Sequence, residues 1–234
     1  MIKTYTRSAD YSYTAGFYPT FELLKYRASS LKCIYVTEDV LQTEGFQKIS
    51  QLVSEEQIIV SEKVFNKLKE KDNDHIIGVF YKFEDELVGQ EPHVVLVNPS
   101  DQGNLGNIMR SMLAFGYKDL AIITPGADNF SPKTVRASMG SIFAIRIQHF
   151  TSFEEYIEKY PRLYFPFMLQ SAKGLMEISK PKEKYSLVFG NEATGLPDSF
   201  ENGHAVKIEQ SKDVDSLNLA TAAVVAMYYF KNIQ

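Results

Sequence analysis

Three clusters of polar residues follow apolar runs of this sequence, and each carries residue types that can bind a ligand. The first extends from Asn104 to Arg110, the second from Gly190 to Leu196 and the third from Ile208 to Asn218. An arginine can clamp a phosphate with its planar guanidinium, and a glycine lets a ligand approach the backbone. Because ligands of parallel α/β sheets bind outside the carboxyl ends of the strands, the clusters predict one shared binding site.

The common nucleotide-binding fingerprints do not fit these clusters. The turn from Asn98 to Gly106 lacks the Gly-x-Gly-x-x-Gly spacing, and no acidic residue follows the strand that ends at Thr124 to hold a ribose. The segment from Gly190 to Leu196 has P-loop spacing but carries leucine where the phosphate-binding lysine should stand. An NAD or NTP enzyme is therefore not expected. A single cysteine, Cys33, and four histidines also exclude a cysteine-rich zinc site.

The clusters resemble the motifs of one family, the SpoU/TrmH RNA 2′-O-ribose methyltransferases of the SPOUT superfamily. Motif 1 is similar to Gly103-Asn-Leu-Gly-Asn-Ile-Met-Arg110 with Ala114-Phe-Gly116, motif 2 to Leu187-Val-Phe-Gly-Asn-Glu-Ala-Thr-Gly-Leu196, and motif 3 to Ser216-Leu-Asn-Leu-Ala-Thr-Ala222. Arg136-Ala-Ser-Met-Gly140 resembles a turn in the middle of the same domain. Residues 1–85 resemble, more weakly, the L30e-like RNA-binding domain that precedes the catalytic domain in several members.

The resemblance implies an α/β protein with two domains. Residues 1–85 would form the L30e-like domain, and residues 86–234 a parallel-sheet methyltransferase domain with a C-terminal trefoil knot. The implied cofactor is S-adenosyl-L-methionine and the implied assembly is an obligate homodimer. The positions that match cofactor contacts are Gly190, Ile208 and Leu217, and those that match the polar catalytic set are Asn104, Arg110, Glu192, Ser216 and Asn218. The chain departs from the family at Ile208-Glu-Gln-Ser-Lys-Asp213, where members commonly have Ile-Pro-Met and then a glycine.

The chemistry of methyl transfer narrows the roles of these residues. Transfer from a sulfonium to a ribose hydroxyl is an in-line displacement that needs alignment and a proton acceptor, but no metal. Arg110 stays protonated, so it fits a phosphate clamp better than the general-base role proposed for the family. Glu192 can hold side chains of the other motifs, pair with Arg110, or only cap a strand end. Ser216 and Asn218 stand where a helix begins, so helix capping is the alternative for each.

Strands and helices predicted from the hydrophobic pattern position these motifs. In the first region we predict helices at 19–28, 39–53 and 62–70 and strands at Cys33–Val36, Gln57–Val60 and Ile76–Tyr81, followed by an acidic linker at 83–92. In the second region we predict strands at His93–Asn98, Leu120–Thr124, Ile142–Gln148, Leu163–Leu169, Tyr185–Phe189 and Ala205–Ile208, and helices at Asn107–Phe115, Phe153–Tyr160 and Leu217–Phe230. Apolar strands that alternate with helices predict a parallel sheet covered on both faces. The last helix is apolar almost all round, so it can face its own sheet and a partner subunit.

Charge is distributed unevenly along the chain. The net charge of −4 divides into +3 over residues 1–36, −7 over residues 37–91 and zero over residues 92–234. The basic block is also aromatic, with Tyr5, Tyr11, Tyr13, Phe17, Tyr18, Phe21 and Tyr26. Cations interleaved with rings suit the unpaired bases of RNA, and a tyrosine-rich packing edge is the alternative. No apolar run approaches the roughly 20 residues of a membrane helix, so we expect a cytoplasmic protein without membrane contact.

The sequence therefore predicts S-adenosyl-L-methionine-dependent 2′-O-ribose methylation of structured RNA. The L30e-like resemblance favours ribosomal RNA over transfer RNA as the substrate. A transfer RNA enzyme is one alternative, and a knotted RNA-binding protein without catalysis is another. The intact Asn104, Arg110, Glu192 and Asn218 argue against the inactive protein. A knotted methyltransferase acting on a base would lack the Ser-Leu-Asn motif.

Overall fold

Over residues 2–68, 75–201 and 203–233, which the computed structural model describes, the chain alternates strands and helices. In chain order the elements are β1 (Tyr11–Tyr13), α1 (Phe17–Arg27), β2 (Leu31–Val36), α2 (Glu44–Ser50), β3 (Ile58–Val60), α3 (Glu62–Leu68), β4 (Ile76–Tyr81), β5 (His93–Val97), α4 (Gln102–Phe115), β6 (Asp119–Ile123), α5 (Pro132–Ala137), β7 (Arg146–Phe150), α6 (Phe153–Lys159), β8 (Leu163–Pro166), β9 (Tyr185–Phe189) and α7 (Leu219–Asn232). None of the helices in these ranges is long and apolar enough to cross a membrane.

The chain divides by its internal contacts into two units, and each unit consists of two separate stretches of the sequence. The first unit contains Met1–Phe83 and Asp128–Ala144, and the second contains Glu84–Ala127 and Ile145–Gln234. The segment Asp128–Ala144, which lies within the predicted methyltransferase domain, thus groups with the first unit. The boundary between residues 85 and 86 as a limit of functional domains stays a prediction.

The first unit is built on a four-stranded mixed sheet in the order β1-β4-β2-β3. β4 pairs antiparallel with β1 and β2, whereas β3 is parallel to β2. The segment that holds α5 packs on this sheet: the Ser12 hydroxyl donates to the Phe130 carbonyl at 2.6 Å, and Phe80 and Phe143 meet edge to face at 5.0 Å. Ser131 caps α5 and Pro132 follows at its first position, where its missing N–H costs nothing.

The second unit is built on a five-stranded sheet in the order β7-β6-β5-β9-β8, and every pair in it is parallel. β6 and β9 are buried along almost their whole length, as expected for a sheet covered on both faces. This confirms the predicted α/β class with a parallel sheet. Because β5 and β9 are neighbours, the turns that follow Val97 and Phe189 meet at the same edge. α4 leaves from the first of these turns and packs against α7.

Several predicted boundaries are wrong, and local chemistry explains most of them. The strand predicted at Ile142–Gln148 begins at Arg146, because a 3-10 turn over Ser141–Phe143 follows Gly140 in its left-handed conformation. The helix predicted at 39–53 is only α2, because the Thr43 hydroxyl accepts from Phe46 N and caps it there. The last two residues of the helix predicted at 62–70 lie outside the described residues.

Two further differences concern the end of the chain. The predicted strand Ala205–Ile208 forms only isolated bridges, from Val206 to Phe167 and from Lys207 to Gly174. The helix predicted at Leu217–Phe230 begins at Leu219, because the Asn218 side chain accepts from the amides of Ala220 and Thr221. The strand predicted at Leu163–Leu169 ends at Pro166, and β1 and α5 were not predicted.

Candidate active site

The turn after β5 forms the first wall of the site. Asn98 has a left-handed backbone with φ of 50°, which redirects the chain from the strand towards α4. The Asp101 carboxylate accepts from the amide of Asn104 at 2.7 Å and so caps α4. A capped first turn fixes the direction of the motif 1 helix. Motif 1 therefore starts from a rigid turn at the carboxyl edge of the sheet.

Glu192, in the turn after β9, accepts four hydrogen bonds, three from the turn directly before motif 1 and one from Asn104 of motif 1. Its carboxylate accepts from the Ser100 amide at 2.8 Å, the Ser100 hydroxyl at 2.6 Å, the Asp101 amide at 3.0 Å and Asn104 Nδ2 at 3.2 Å. Burial raises the pKa of Glu192, but the bonds from Ser100 and Asp101 outweigh burial and bring the pKa to about 2. The carboxylate is therefore ionised at neutral pH and its lone pairs are engaged.

Asn218 connects the third motif to the other two. Its side-chain oxygen caps α7, while its Nδ2 donates to Asn104 Oδ1 at 3.0 Å. Asn104 in turn donates to Glu192, so one chain of hydrogen bonds runs from motif 3 through motif 1 to motif 2. The helix-cap role considered for Ser216 belongs to Asn218, which fills it together with the Asn104 contact. Ser216 is exposed one residue before Leu217.

The turn from Gly190 to Leu196 closes tightly on itself. The Gly195 amide donates to the Asn191 carbonyl at 2.9 Å, and Asn191 Nδ2 donates to the Asn98 carbonyl at 2.8 Å. A Cβ atom on Gly190 would overlap the backbone of Gly195 and the amide nitrogen of Leu196. A glycine is therefore required at position 190 because the backbone of its own loop passes close to it, whereas the sequence predicted that the glycine makes room for a ligand.

A cavity of about 350 Å³ opens between these turns and the segments that follow β8 and precede α7. Five of the eight predicted site residues line it: Gly190, Glu192, Ile208, Ser216 and Leu217. Phe189, Leu196 and Leu219 supply apolar walls. Among the described residues that line the cavity, the charged side chains are Glu192 and Asp198, and none is basic.

Arg110 lies apart from this constellation. It is exposed on α4 and does not line the cavity, although Asn104 stands on the same helix. Six residues turn an α-helix by about 240° beyond a full turn, so the two side chains point in different directions. Within the described part of the chain, no ion pair joins Arg110 to Glu192, which was one of the roles considered for the carboxylate.

Sequence reasoning missed several residues that shape the site. Ser100 and Asp101 hold Glu192, and the pair directly before a helical pattern was a helix-start signal that could have revealed them. Gln210 lines the cavity, and its Nε2 donates to the Asp215 carbonyl at 3.1 Å, which closes the loop before motif 3. Gln170 lines the opposite rim and donates to Asp198 at 3.2 Å. No periodic pattern in the sequence marks the two glutamines.

The chain is similar to known RNA methyltransferases in the region that contains the three motifs. Residues 91–228 match the model of the SpoU rRNA Methylase family. A ribosomal RNA small subunit methyltransferase G 2 of Syntrophobacter fumaroxidans is 35% identical over 57% of this chain and 26% of its own length. The chain spans 26% and 51% of the first two curated relatives. A Bacillus subtilis relative named 23S rRNA (guanosine(2553)-2′-O)-methyltransferase RlmP is 24% identical over 84% of this chain and 86% of its own length.

Solved structures and shorter relatives complete the comparison. The SpoU methyltransferase AviRb of Streptomyces viridochromogenes, solved in complex with the cofactor AdoMet, superposes with a TM-score of 0.84. The match covers 95% of this chain and 89% of AviRb at 20% identity, so it speaks for the fold alone. A putative tRNA (cytidine(34)-2′-O)-methyltransferase of Bacillus subtilis is 30% identical over 58% of this chain and 89% of its own length.

Proposed function

This chain belongs to the SpoU rRNA methylase family, and on that premise we propose that it methylates a ribose 2′-hydroxyl of RNA with S-adenosyl-L-methionine as the methyl donor. One observation carries the proposal. Asn218, Asn104 and Glu192, one from each motif, form a single chain of hydrogen bonds beside the cavity. A turn that only ended a strand would not need partners from three separate segments.

The cavity fits the proposed cofactor in size and chemistry. Its volume of about 350 Å³ falls within the range of roughly 300–1,000 Å³ that is typical of small-ligand pockets. Apolar walls suit an adenine ring, and the two carboxylates at the lining suit a positively charged sulfonium better than a phosphate. When bound, the cofactor supplies the methyl group as an electrophile. Gly190, Ile208 and Leu217 are proposed to hold it.

Glu192 and Asn104 are proposed to position the reacting groups. A carboxylate with a pKa of about 2 and four donors is a poor proton acceptor at neutral pH, so Glu192 is not assigned as the general base. Its charge instead fixes the Ser100 turn and the Asn104 amide. Asn218 holds Asn104 from the other side, and exposed Ser216 lies at the cavity, where it can contact substrate.

Arg110 is proposed to hold a phosphate next to the target ribose. Its guanidinium is exposed and, among the described residues, has no carboxylate partner that would compete with an incoming phosphate. A planar fork binds a phosphate in two places, which orients the nucleotide for in-line transfer. The separation of Arg110 from the cavity suits a contact with RNA rather than with the cofactor.

Ribosomal RNA is the proposed substrate, with transfer RNA as the alternative. The rRNA methyltransferase relative from Bacillus subtilis aligns with 84% of this chain, whereas the relative named as a tRNA methyltransferase aligns with 58%. We further propose that residues 1–85 form an L30e-like domain that selects the RNA and that residues 86–234 carry the trefoil knot. A homodimer through α4 and α7 is supported by Tyr228, whose side chain on α7 is 59% exposed beside Phe115.

The proposal is tested by single-turnover methyl transfer. Arg110→Ala should lower the rate about 100- to 1,000-fold, because a preorganised partner of the aligned substrate is lost. Arg110→Lys should restore little, since lysine lacks the fork. Affinity for S-adenosylhomocysteine should stay at the wild-type value in both variants, and Lys118→Ala, an exposed cation just after α4, is the control.

Two results would decide against the proposal. Full activity of Arg110→Ala would remove Arg110 from the site, and a loss of S-adenosylhomocysteine binding would move it into the cofactor pocket. The function itself is tested by mapping reverse-transcription stops in ribosomal and transfer RNA from a deletion strain. If no 2′-O-methyl group disappears from either RNA, the proposed reaction is wrong.

A further inference from the structure

A cluster of tyrosines and lysines covers the end of the first unit's sheet where β1 begins and β4 ends. We call it the tyrosine platform and define it by Lys3, Tyr11, Lys32 and Tyr81. Tyr11 and Tyr81 are paired neighbours on adjacent antiparallel strands. Lys32 Nζ lies 5.2 Å from the centre of the Tyr11 ring and 4.9 Å from that of Tyr81. The Tyr11 hydroxyl accepts from Lys3 N at 3.0 Å and donates to Lys3 O at 2.8 Å, which brings Lys3 to the same place.

The platform is accessible and its cations are uncommitted. Tyr81 is 42% exposed, Lys3 and Lys32 are exposed as well, and Tyr11 is half-buried. Over the described residues, no hydrogen bond or ion pair to a carboxylate engages the ammonium of Lys32. Lys82 makes the contrast: it also stands over a tyrosine, Tyr5, but it is partly buried and donates to the Arg7 carbonyl at 2.8 Å. Lys82 is therefore structural, whereas Lys32 remains available to a ligand.

Stacking of a nucleic-acid base on these rings is a stronger interaction than the contact between the lysine and the rings. A cation over an exposed ring favours the contact by a factor of about five or less in the equilibrium constant. A base stacked on an aromatic side chain contributes about 5- to 150-fold in affinity. A base can therefore take the place of Lys32 on the rings, and the displaced ammonium reaches the phosphate that the same nucleotide carries. Lysine and tyrosine together thus match both parts of one unpaired nucleotide.

We propose that the tyrosine platform stacks an unpaired base of the RNA substrate on Tyr11 and Tyr81, with Lys32 and Lys3 at the flanking phosphates. This inference rests on the proposed function, because it names the surface that holds the substrate of that reaction. Three of the four residues belong to the block 1–36, whose net charge is +3, while residues 37–91 carry −7.

Single-stranded RNA distinguishes the platform from a general basic patch. Bases of a duplex are stacked on one another and cannot reach a tyrosine, so a duplex would use the lysines only. Tyr81→Leu keeps an apolar side chain of similar burial but removes the ring. Lys32→Gln removes the charge and keeps the stem. Tyr18→Leu and Lys48→Gln are matched controls, since both side chains are exposed in the same unit. Tyr18 belongs to the same aromatic block as Tyr11 but stands on α1, so this variant tests whether the platform, rather than the block as a whole, holds the RNA.

The experiment titrates a fluorescent single-stranded RNA oligonucleotide, and a duplex of the same sequence, with the full chain from about 50 to 300 mM salt. Tyr81→Leu should weaken single-strand binding about 5- to 150-fold at unchanged salt dependence, and it should leave duplex binding within about twofold. Lys32→Gln should make the salt dependence of single-strand binding shallower by about 0.7 in log–log slope. The two controls should bind as the wild type does.

Three outcomes would overturn the platform: normal single-strand binding by Tyr81→Leu, an equal loss for the duplex, or an equal loss in Tyr18→Leu. An unchanged circular dichroism spectrum and an unchanged urea unfolding transition in each variant show that the first unit, which carries the platform, has folded. Methyl transfer by the wild type separates this inference from the proposed function. If the wild type methylates RNA and the variants bind normally, only the platform is wrong. If the variants bind weakly but the wild type methylates no RNA, the reaction is wrong and the platform stands.

Discussion

The two ends of the second unit's parallel sheet both carry networks of hydrogen-bonded polar groups, and the network at the carboxyl end adjoins a cavity. At the amino end, the fully buried Asp119 accepts two bonds from Arg146, at 2.7 and 2.5 Å, and one from the Val88 amide at 2.8 Å. At the carboxyl end, Glu192 accepts four bonds and lines the cavity. A fully bonded carboxylate alone therefore does not mark a functional site.

The amino end also contains a buried histidine. His93 Nδ1 shares a hydrogen bond with the Tyr156 hydroxyl at 2.9 Å, and Tyr156 reaches the Ser186 hydroxyl at 2.5 Å. His93 Nε2 lies 3.0 Å from the Val88 carbonyl, which is in the segment that was predicted as a linker. Each polar atom in this network finds its partner inside the unit. The comparison shows that the amino end fastens chain segments to the sheet, whereas the carboxyl end leaves room for a ligand.

The largest expected difference between the two ends is in S-adenosylhomocysteine binding after one glycine at each end is changed to alanine. Gly190→Ala should abolish S-adenosylhomocysteine binding, because the Cβ would overlap the backbone of Gly195 and force the loop open. Gly89→Ala at the amino end should bind normally, because its Cβ would meet only Tyr160 Cδ1, at an ordinary 3.9 Å. Calorimetric titration measures both. Unchanged binding by Gly190→Ala would remove this loop from the cofactor site.

The second prediction concerns stability at the amino end. Asp119→Asn should lower the free energy of unfolding by about 3 kcal/mol, because it leaves Arg146 without its buried partner. The remaining folded protein should bind S-adenosylhomocysteine with wild-type affinity. Urea unfolding and calorimetry provide the two readouts, and Glu86→Gln, which breaks an exposed ion pair with Lys159, should change neither. A loss of cofactor affinity in Asp119→Asn would contradict the inference that the amino end stabilises the fold while the carboxyl end binds the ligand.

The smallest expected effects are two separate windows of acid destabilisation. Burial lowers the pKa of His93 to about 4 from its ordinary 6.5, so the unfolded chain takes up this proton first and stability falls between about pH 6.5 and 4. The pKa of Glu192 is about 2 instead of 4.5, so its contribution is complete above pH 4.5 and is lost as the pH falls towards 2. We expect effects on the order of 2 kcal/mol for His93 and, because solvent screens it, about 1 kcal/mol for Glu192.

Two variants test which residue causes the loss of stability in each pH range. His93→Gln should flatten the dependence of the unfolding free energy on pH only above pH 4, and Glu192→Gln only below about 4.5. Urea unfolding at a series of pH values gives the slopes. If Glu192→Gln flattened the upper window instead, the hydrogen bonds from Ser100 and Asp101 would not be lowering the pKa of the carboxylate.

Local patterns in the sequence predicted the three motifs and the presence of the five strands of the second unit, because apolar runs and turn residues are local signals. They misplaced the bounds of β7 and β8 and predicted a sixth strand at Ala205–Ile208 that forms only isolated bridges. They did not predict which atoms of the motifs meet. Ser100 and Glu192 are 92 residues apart in the chain, and Asn104 and Asn218 are 114 apart, so only the order of the strands brings them together. β1 has the sequence Tyr-Ser-Tyr, whose three residues are too few for an alternating pattern to predict a strand, and its pairing with β4 defines it. Asparagine adopts the left-handed conformation more readily than most residues, but that propensity does not say that Asn98 is the position that uses it.

The membership of Asp128–Ala144 in the first unit has a consequence for the synthesis of the protein. Domains generally fold from the N-terminus as they leave the ribosome. Here the first unit lacks α5 and the rings of Phe130 and Phe143 until residue 144 has emerged. By then β5, α4 and β6 of the second unit have already been made. The two units therefore complete their cores in an interleaved order, and a nascent chain that stops after residue 85 displays Phe80 without the rings of Phe130 and Phe143.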